Sequence, residues 1–260
     1  MISLSFSFLD LEYFLLILVR VSCFVFVAPF FSMNNAPKRV RIALSVFTAM
    51  LLYTTLTPAA GVVYDNVLEY AIIVAKEAIT GLLIGFSASI CTTIVNFAGA
   101  IADMETGLSM LMLMDPTNKQ QASVTGVYYQ YVVMLMLILS GMYRYLLGAL
   151  ADSFLLIPVN GAVFKGDHLV STMVRFLGDY ITIGFRICLP VFCVMLLLNA
   201  VLGVLAKVAP QMNMFAVGIQ LKVLVGFGIL FLTTGMLSGV SGAIFNEIKQ
   251  VTVSFVEGMM

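Results

Sequence analysis

The run VLEYAIIVAKEAITGLLIGFSASICTTIVNFAGAIA, residues 67–102, decides the class of this chain. Its only charges are Glu69, Lys76 and Glu77, and nearly all the rest is apolar. As a single helix at 1.5 Å per residue it would reach roughly 55 Å, whereas the hydrocarbon core of a bilayer is about 30 Å thick. The run therefore predicts a membrane helix that must tilt, break or leave the bilayer.

The sequence on either side has the same character. Of 260 residues, 62% are hydrophobic and 10% charged, with a mean hydropathy of +1.09, against roughly a quarter charged in a soluble domain. Such a composition excludes a soluble globule. The 13 basic and 13 acidic side chains cancel, so there is no basic field to hold nucleic acid. Apolar runs at about 11–31, 41–58, 67–98, 127–150, 178–206 and 212–244 predict an all-α membrane protein of about six hydrophobic helices. The first charges are Asp10 and Glu12, with no Lys or Arg before Arg20, so the first run reads as a retained helix rather than a signal peptide. Lys38, Arg39 and Arg41 lie between the first two runs and Asp65 and Glu69 between the next two. By the positive-inside rule this places the N-terminus outside and the first loop in the cytoplasm. Lys207 and the turn Ala209-Pro210-Gln211 then fall on the cytoplasmic side.

Five charges fall inside apolar runs: Arg20, Lys76, Glu77, Arg186 and Lys222. Each costs about 2.5–3.5 kcal/mol at membrane depth unless it is paired or faces water. They are ligands in a transporter reading and buried contacts with a neighbouring chain in an assembly reading. The adjacent Lys76 and Glu77 cannot share one helix face, which suits an interface. Gly81 and Gly85, with Ser89 four further on, and Gly235 and Gly239 have the GxxxG spacing that allows close backbone approach, either to another subunit or within the chain.

Between Gly99 and Gly126 the chain reads Asp103, Glu105, Gly107, then Leu108-Ser109-Met110-Leu111-Met112-Leu113-Met114, then Asp115-Pro116 and the polar stretch Thr117 to Gln121. Methionine takes every second place. Unbranched thioethers repack around varied surfaces, which suits a seal that must yield. A membrane-dipping hairpin or plain core filler fits the composition equally well. Nothing points to catalysis. His168 beside Asp167 reads as a surface pair rather than a dyad, and no phosphate-binding G-x-x-x-x-G-K-[ST] occurs. Cys23, Cys91, Cys188 and Cys193 lie in separate apolar runs, without zinc or disulfide spacing. No catalytic residue, cofactor or metal is expected.

The chain resembles the FliR/SctT family of type III export-apparatus subunits over essentially its whole length. The resemblance rests on Pro29-Phe30, on Ala36-Pro37-Lys38-Arg39-Val40-Arg41, on Ala98-Gly99 with Asp103 and Gly107, and on Asp115-Pro116. It continues through Arg186 with Pro190 and through Pro210-Gln211-Met212-Asn213-Met214-Phe215 with Gly218 and Lys222. It implies one such chain in a helical ring with several FliP-like and FliQ-like subunits, around a channel for unfolded protein substrates in the bacterial inner membrane. Residues 1–176 are implied to be FliP-like and 177–260 a FliQ-like hairpin and tail. The loop at about 104–124 is implied to be a pore plug, with Met110, Met112 and Met114 sealing beside Leu111, Leu113, Gly107, Asp115 and Pro116. A plug of this kind must move, and Gly99, Gly107 and Gly126 are read as the pivots that allow it. Pro210, Gln211 and Asn213 are implied to sit at the cytoplasmic mouth beside a FlhB-like subunit, with a FlhA-like subunit nearby and membrane lipid around the assembly. Energy would come from partner subunits. The flagellar and virulence-secretion branches both remain open, and a secondary transporter would need an inverted repeat that the sequence does not display.

Overall fold

A computed structural model describes residues 8–32, 37–56, 64, 66–109, 123–211 and 213–260. Every regular element among them is helical: α1 (Phe8–Val27), α2 (Lys38–Thr55), α3 (Val67–Thr92), α4 (Ile94–Thr106), α5 (Val124–Leu139), α6 (Met142–Leu156), α7 (Gly166–Val208), α8 (Met214–Thr233) and α9 (Leu237–Glu257), with a 3-10 turn at Thr234–Met236 between the last two. The opening run is helical along its length with one local interruption. Thr93 interrupts it after α3, and α4 then continues to Thr106.

Three helical stretches are long and apolar enough to cross a bilayer: Val67–Thr106, Gly166–Val208 and Ala216–Glu257. The expected straight run at 127–150 is instead divided into α5 and α6 by Gly141, whose φ of 79° is left-handed, and the pair makes a fourth candidate if counted as one span. Of the six apolar runs, the described residues thus hold three, or four with the bent pair, that meet the length and hydropathy of a crossing. α1 and α2, of 20 and 18 residues, do not fall short in length, but each carries three charges, Asp10, Glu12 and Arg20 in one and Lys38, Arg39 and Arg41 in the other.

The chain forms two compact units. One comprises Met1–Cys91, Gly141–Phe176 and Glu247–Met260, the other Thr92–Ser140 and Leu177–Asn246. In the first unit α1 packs on α2, and Leu16, Ile17, Val21, Phe24, Ile84, Leu146 and Leu150 are buried. The Gly81/Gly85 pair lets α3 meet α1 backbone to backbone: a Cβ on Gly81 would collide with the Arg20 carbonyl, and one on Gly85 would lie 2.9 Å from the Phe24 carbonyl oxygen. That spacing serves packing within the chain. Near the C-terminus, the N–H groups of Val163 and Lys165 donate to the Met259 and Gly258 carbonyls at 3.0 and 2.9 Å. Hydroxyl contacts between Ser87 and Thr252 (3.0 Å) and between Thr172 and Ser254 (2.8 Å) tie α9 to α3 and α7.

In the second unit α4 packs against α5 and α8. Gly184 of α7 receives the Phe97 ring, which also packs on Tyr180 and Phe185 with centroids 5.2 and 6.0 Å away. The outer faces of α7 and α8 stay apolar and exposed; Leu197, Val208, Leu224, Phe231 and Leu232 all project outward. Lipid or protein must cover such surface.

Candidate functional site

Met110, Leu111, Met112, Leu113, Met114, Asp115 and Pro116 lie outside the described residues, but the stem that carries them is defined. Gly107 ends α4 in the left-handed region, with φ 80° and no described residue within 4 Å of the place a Cβ would take, a common helix termination. Four residues earlier, Asp103 is buried. Its Oδ2 accepts from the Ser123 hydroxyl at 2.6 Å, and both its oxygens lie within reach of the Thr125 N–H, at 3.2 and 3.3 Å. Ser123 in turn accepts from the Gly126 N–H at 2.8 Å, capping α5. A carboxylate from α4 thus sits at the positive end of α5, where the helix dipole favours it. The pivot expectation changes here. Gly99 and Gly126 meet backbone to backbone, since a Cβ on Gly99 would collide with the Gly126 Cα and N. They hold the two sides of the stem together, and of the three glycines only Gly107 has a left-handed backbone, with no described residue near its Cβ position.

Among the charges in apolar runs, Arg20 and Glu77 were expected against a neighbouring subunit. The structure pairs them with each other inside the first unit. Both are fully buried, and Arg20 Nε lies 2.6 Å from Glu77 Oε2. Arg20 Nη1 donates to the Ser153 and Ile157 carbonyls at 3.3 and 3.0 Å, at the C-terminal end of α6, while the Asn160 N–H donates to Glu77 Oε1 at 2.9 Å. The guanidinium stacks 4.2 Å from the centre of the Phe154 ring. Asn160 has a φ of 67°, a conformation asparagine tolerates better than most residues. The cluster joins α1, α3, α6 and the turn after α6. Nearby, the Tyr64 hydroxyl donates to Glu12 at 2.7 Å, a bond that raises the phenol pKa above its ordinary value.

The other three charges differ. Lys76 and Lys222 are half-buried and Arg186 is exposed, and none makes an ion pair among the described residues. In the turn between α7 and α8, Pro210, Gln211 and Asn213 are exposed, and Asn213 Oδ1 caps α8 by accepting from the Ala216 N–H at 3.4 Å. Asp103, Ser123 and Asn160 were given no role from sequence. Ser123 had a readable signal, a serine directly before an apolar helical run; the other two had none, because their partners lie 20 or more residues away.

Comparison with known proteins gives one consistent result. The profile of Bacterial export proteins, family 1, matches residues 11–248. The chain is 28% identical over 235 residues to the Flagellar biosynthetic protein FliR of Bacillus subtilis (strain 168), covering 90% of each. It is 29% identical over 245 residues to that of Aquifex aeolicus (strain VF5), covering 92% of this chain and 91% of the relative. To that of Escherichia coli (strain K12) it is 25% identical over 232 residues, covering 89% and 87%. An all-helical membrane chain matched to one profile from the start of its first helix to well inside its last belongs to Bacterial export proteins, family 1.

Proposed function

We propose that this chain is a subunit of the flagellar type III protein export apparatus, where it helps to form and seal the channel for unfolded substrates. The observation that carries the reading is the family match over residues 11–248, joined to relatives named flagellar biosynthetic proteins. Those names favour the flagellar over the virulence-secretion branch. On this reading the protein is a multi-pass component of the bacterial inner membrane within the flagellar basal body, and its work is assembly and gating rather than catalysis.

The finer roles follow the same line. The Met-rich segment, Met110 to Met114 with Asp115-Pro116 behind it, is the deformable plug. A gate that blocks ions yet passes polypeptide needs an apolar seal with two states of similar free energy. The clamped stem supports this, because a loop whose ends are held by Asp103, Ser123 and the Gly99–Gly126 contact can move only between them. Lys76, Arg186 and Lys222 face neighbouring FliP-like and FliQ-like subunits, with residues 1–176 FliP-like and 177–260 FliQ-like. The Pro210-Gln211 turn and Asn213 meet a FlhB-like subunit at the cytoplasmic mouth, and a FlhA-like subunit stands nearby. The transporter reading loses two of its ligands, since Arg20 and Glu77 neutralise each other away from solvent.

The test is co-expression of the full chain with its FliP-like and FliQ-like neighbours, a mild-detergent pull-down and native mass spectrometry. One complex holding one copy of this chain and several of each partner is expected. A monomer or homodimer that ignores both partners would sink the proposal.

A further inference from the structure

The second unit contains a cleft of about 260 Å³ bounded by α5, by the middle of α7 and by the turn and first residues of α9. Its wall is mainly apolar, and among the described residues Arg186 is the only charged side chain on it. Three features meet there. Arg186 belongs to an apolar run that is long enough to cross a bilayer, yet it is exposed and has no ion pair among the described residues; a cation at membrane depth is costly until it is paired. Pro190, one turn further along α7 and also on the cleft wall, has no N–H to give to the Arg186 carbonyl, so the helix lacks that bond at the level of the cleft. Finally, Gly239 and Ala243, small residues four apart, both line the cleft, and no described residue lies within 4 Å of a Cβ added to Gly239. The Gly81/Gly85 pair has the same spacing, but there the backbone of α1 fills the space.

We infer that this cleft seats an apolar helix of a different protein chain, one that carries a carboxylate at the level of Arg186. The charge of the cleft selects an acid. The Gly239/Ala243 spacing on the cleft wall selects a helix over a lipid chain, because small residues four apart remove the side chains that keep two helix backbones separated, while an acyl chain needs no such row. The inference rests on the export-subunit reading for the existence of a neighbour and adds the chemistry by which that neighbour is recognised.

The test uses the tagged full chain in its native membranes, with Met236 on the cleft wall replaced by p-benzoylphenylalanine and the photo-crosslinked peptide identified by mass spectrometry. The expected product is an apolar peptide of another membrane protein with Asp or Glu within about one helical turn, 3.6 residues, of the crosslinked position. Arg186→Glu should lower its yield at least about tenfold, as expected for a broken desolvated charge pair, while Arg186→Lys keeps most of it. Arg186→Gln serves if the Glu variant fails to accumulate. Crosslinking to phospholipid alone, to a second copy of this chain or to a peptide without an acid would overturn the inference, as would a yield indifferent to Arg186→Glu and Arg186→Gln. The two readings fail separately. An acid-bearing crosslink in a chain that co-purifies with no export subunit defeats the export reading and keeps the cleft, whereas lipid adducts in an intact export complex do the reverse.

Discussion

Arg20 and Glu77 are held at no solvent exposure because each finds several partners: a carboxylate, two helix-end carbonyls and an aromatic face for the guanidinium, and a guanidinium and the Asn160 N–H for the carboxylate. Removing one member leaves the other charge buried and uncompensated, at a cost of about 3–5 kcal/mol. Arg20→Met and Glu77→Gln should each lower the melting temperature of the detergent-purified chain sharply, and a double Arg20→Leu/Glu77→Leu variant should recover much of the loss, since apolar replacement of a buried pair is often close to neutral. A double variant that melts as low as the two single losses added together would show that the residues do not act as a pair. Asp103→Ala should cost about 1–3 kcal/mol, because it strips an acceptor from the Ser123 hydroxyl and the Thr125 N–H in a buried site; a melting curve unchanged from the parent would show that the stem does not depend on it. The sequence exposed Arg20 and Glu77 as costly charges, but they stand 57 positions apart and nothing in hydropathy pairs α1 with α3.

The glycines decide how close the helices come. Gly81→Val and Gly99→Val force side chains into the backbones of α1 and α5, and each should destabilise by about 1–3 kcal/mol or more through overpacking, read as loss of thermal stability in detergent. Gly107→Ala places a Cβ on a left-handed residue that has open space around it, so its cost of about 1–2 kcal/mol is conformational alone. A Cβ added at Gly235 meets no described residue within 4 Å, so Gly235→Val should leave the melting temperature of the isolated protein near the parent value; a large drop there would mean that its face is filled within the chain. From spacing alone the two GxxxG pairs were indistinguishable. Only the position of α1 makes the first an internal contact.

For the whole molecule, the length of the helices sets the problem. α7 has 43 residues and spans roughly 65 Å at 1.5 Å per residue, more than twice the hydrocarbon thickness of about 30 Å. A bilayer of that thickness is too thin to cover the whole exposed apolar side of an upright helix of this length, and the proposed assembly would cover the remainder. Deleting residues 110–122 while keeping Asp103, Gly107 and Ser123 should preserve the stem and raise ion conductance through the assembled complex in planar bilayers. Unchanged conductance in a correctly assembled complex would remove the plug role from this loop.

The sequence by itself determined the solvent, the helical class and the family. Those depend on composition, run length and short motifs, which are local and additive along the chain. It also marked the five costly charges and the methionine alternation. The tertiary structure alone decided that Arg20 answers Glu77 while Arg186 stands at an open cleft, that Gly99 lies backbone to backbone with Gly126, and that Asp103 caps a helix beginning 21 residues later. Each of these is a contact between residues distant in sequence, and in a chain where almost every segment is apolar, hydropathy cannot tell which helix will face which.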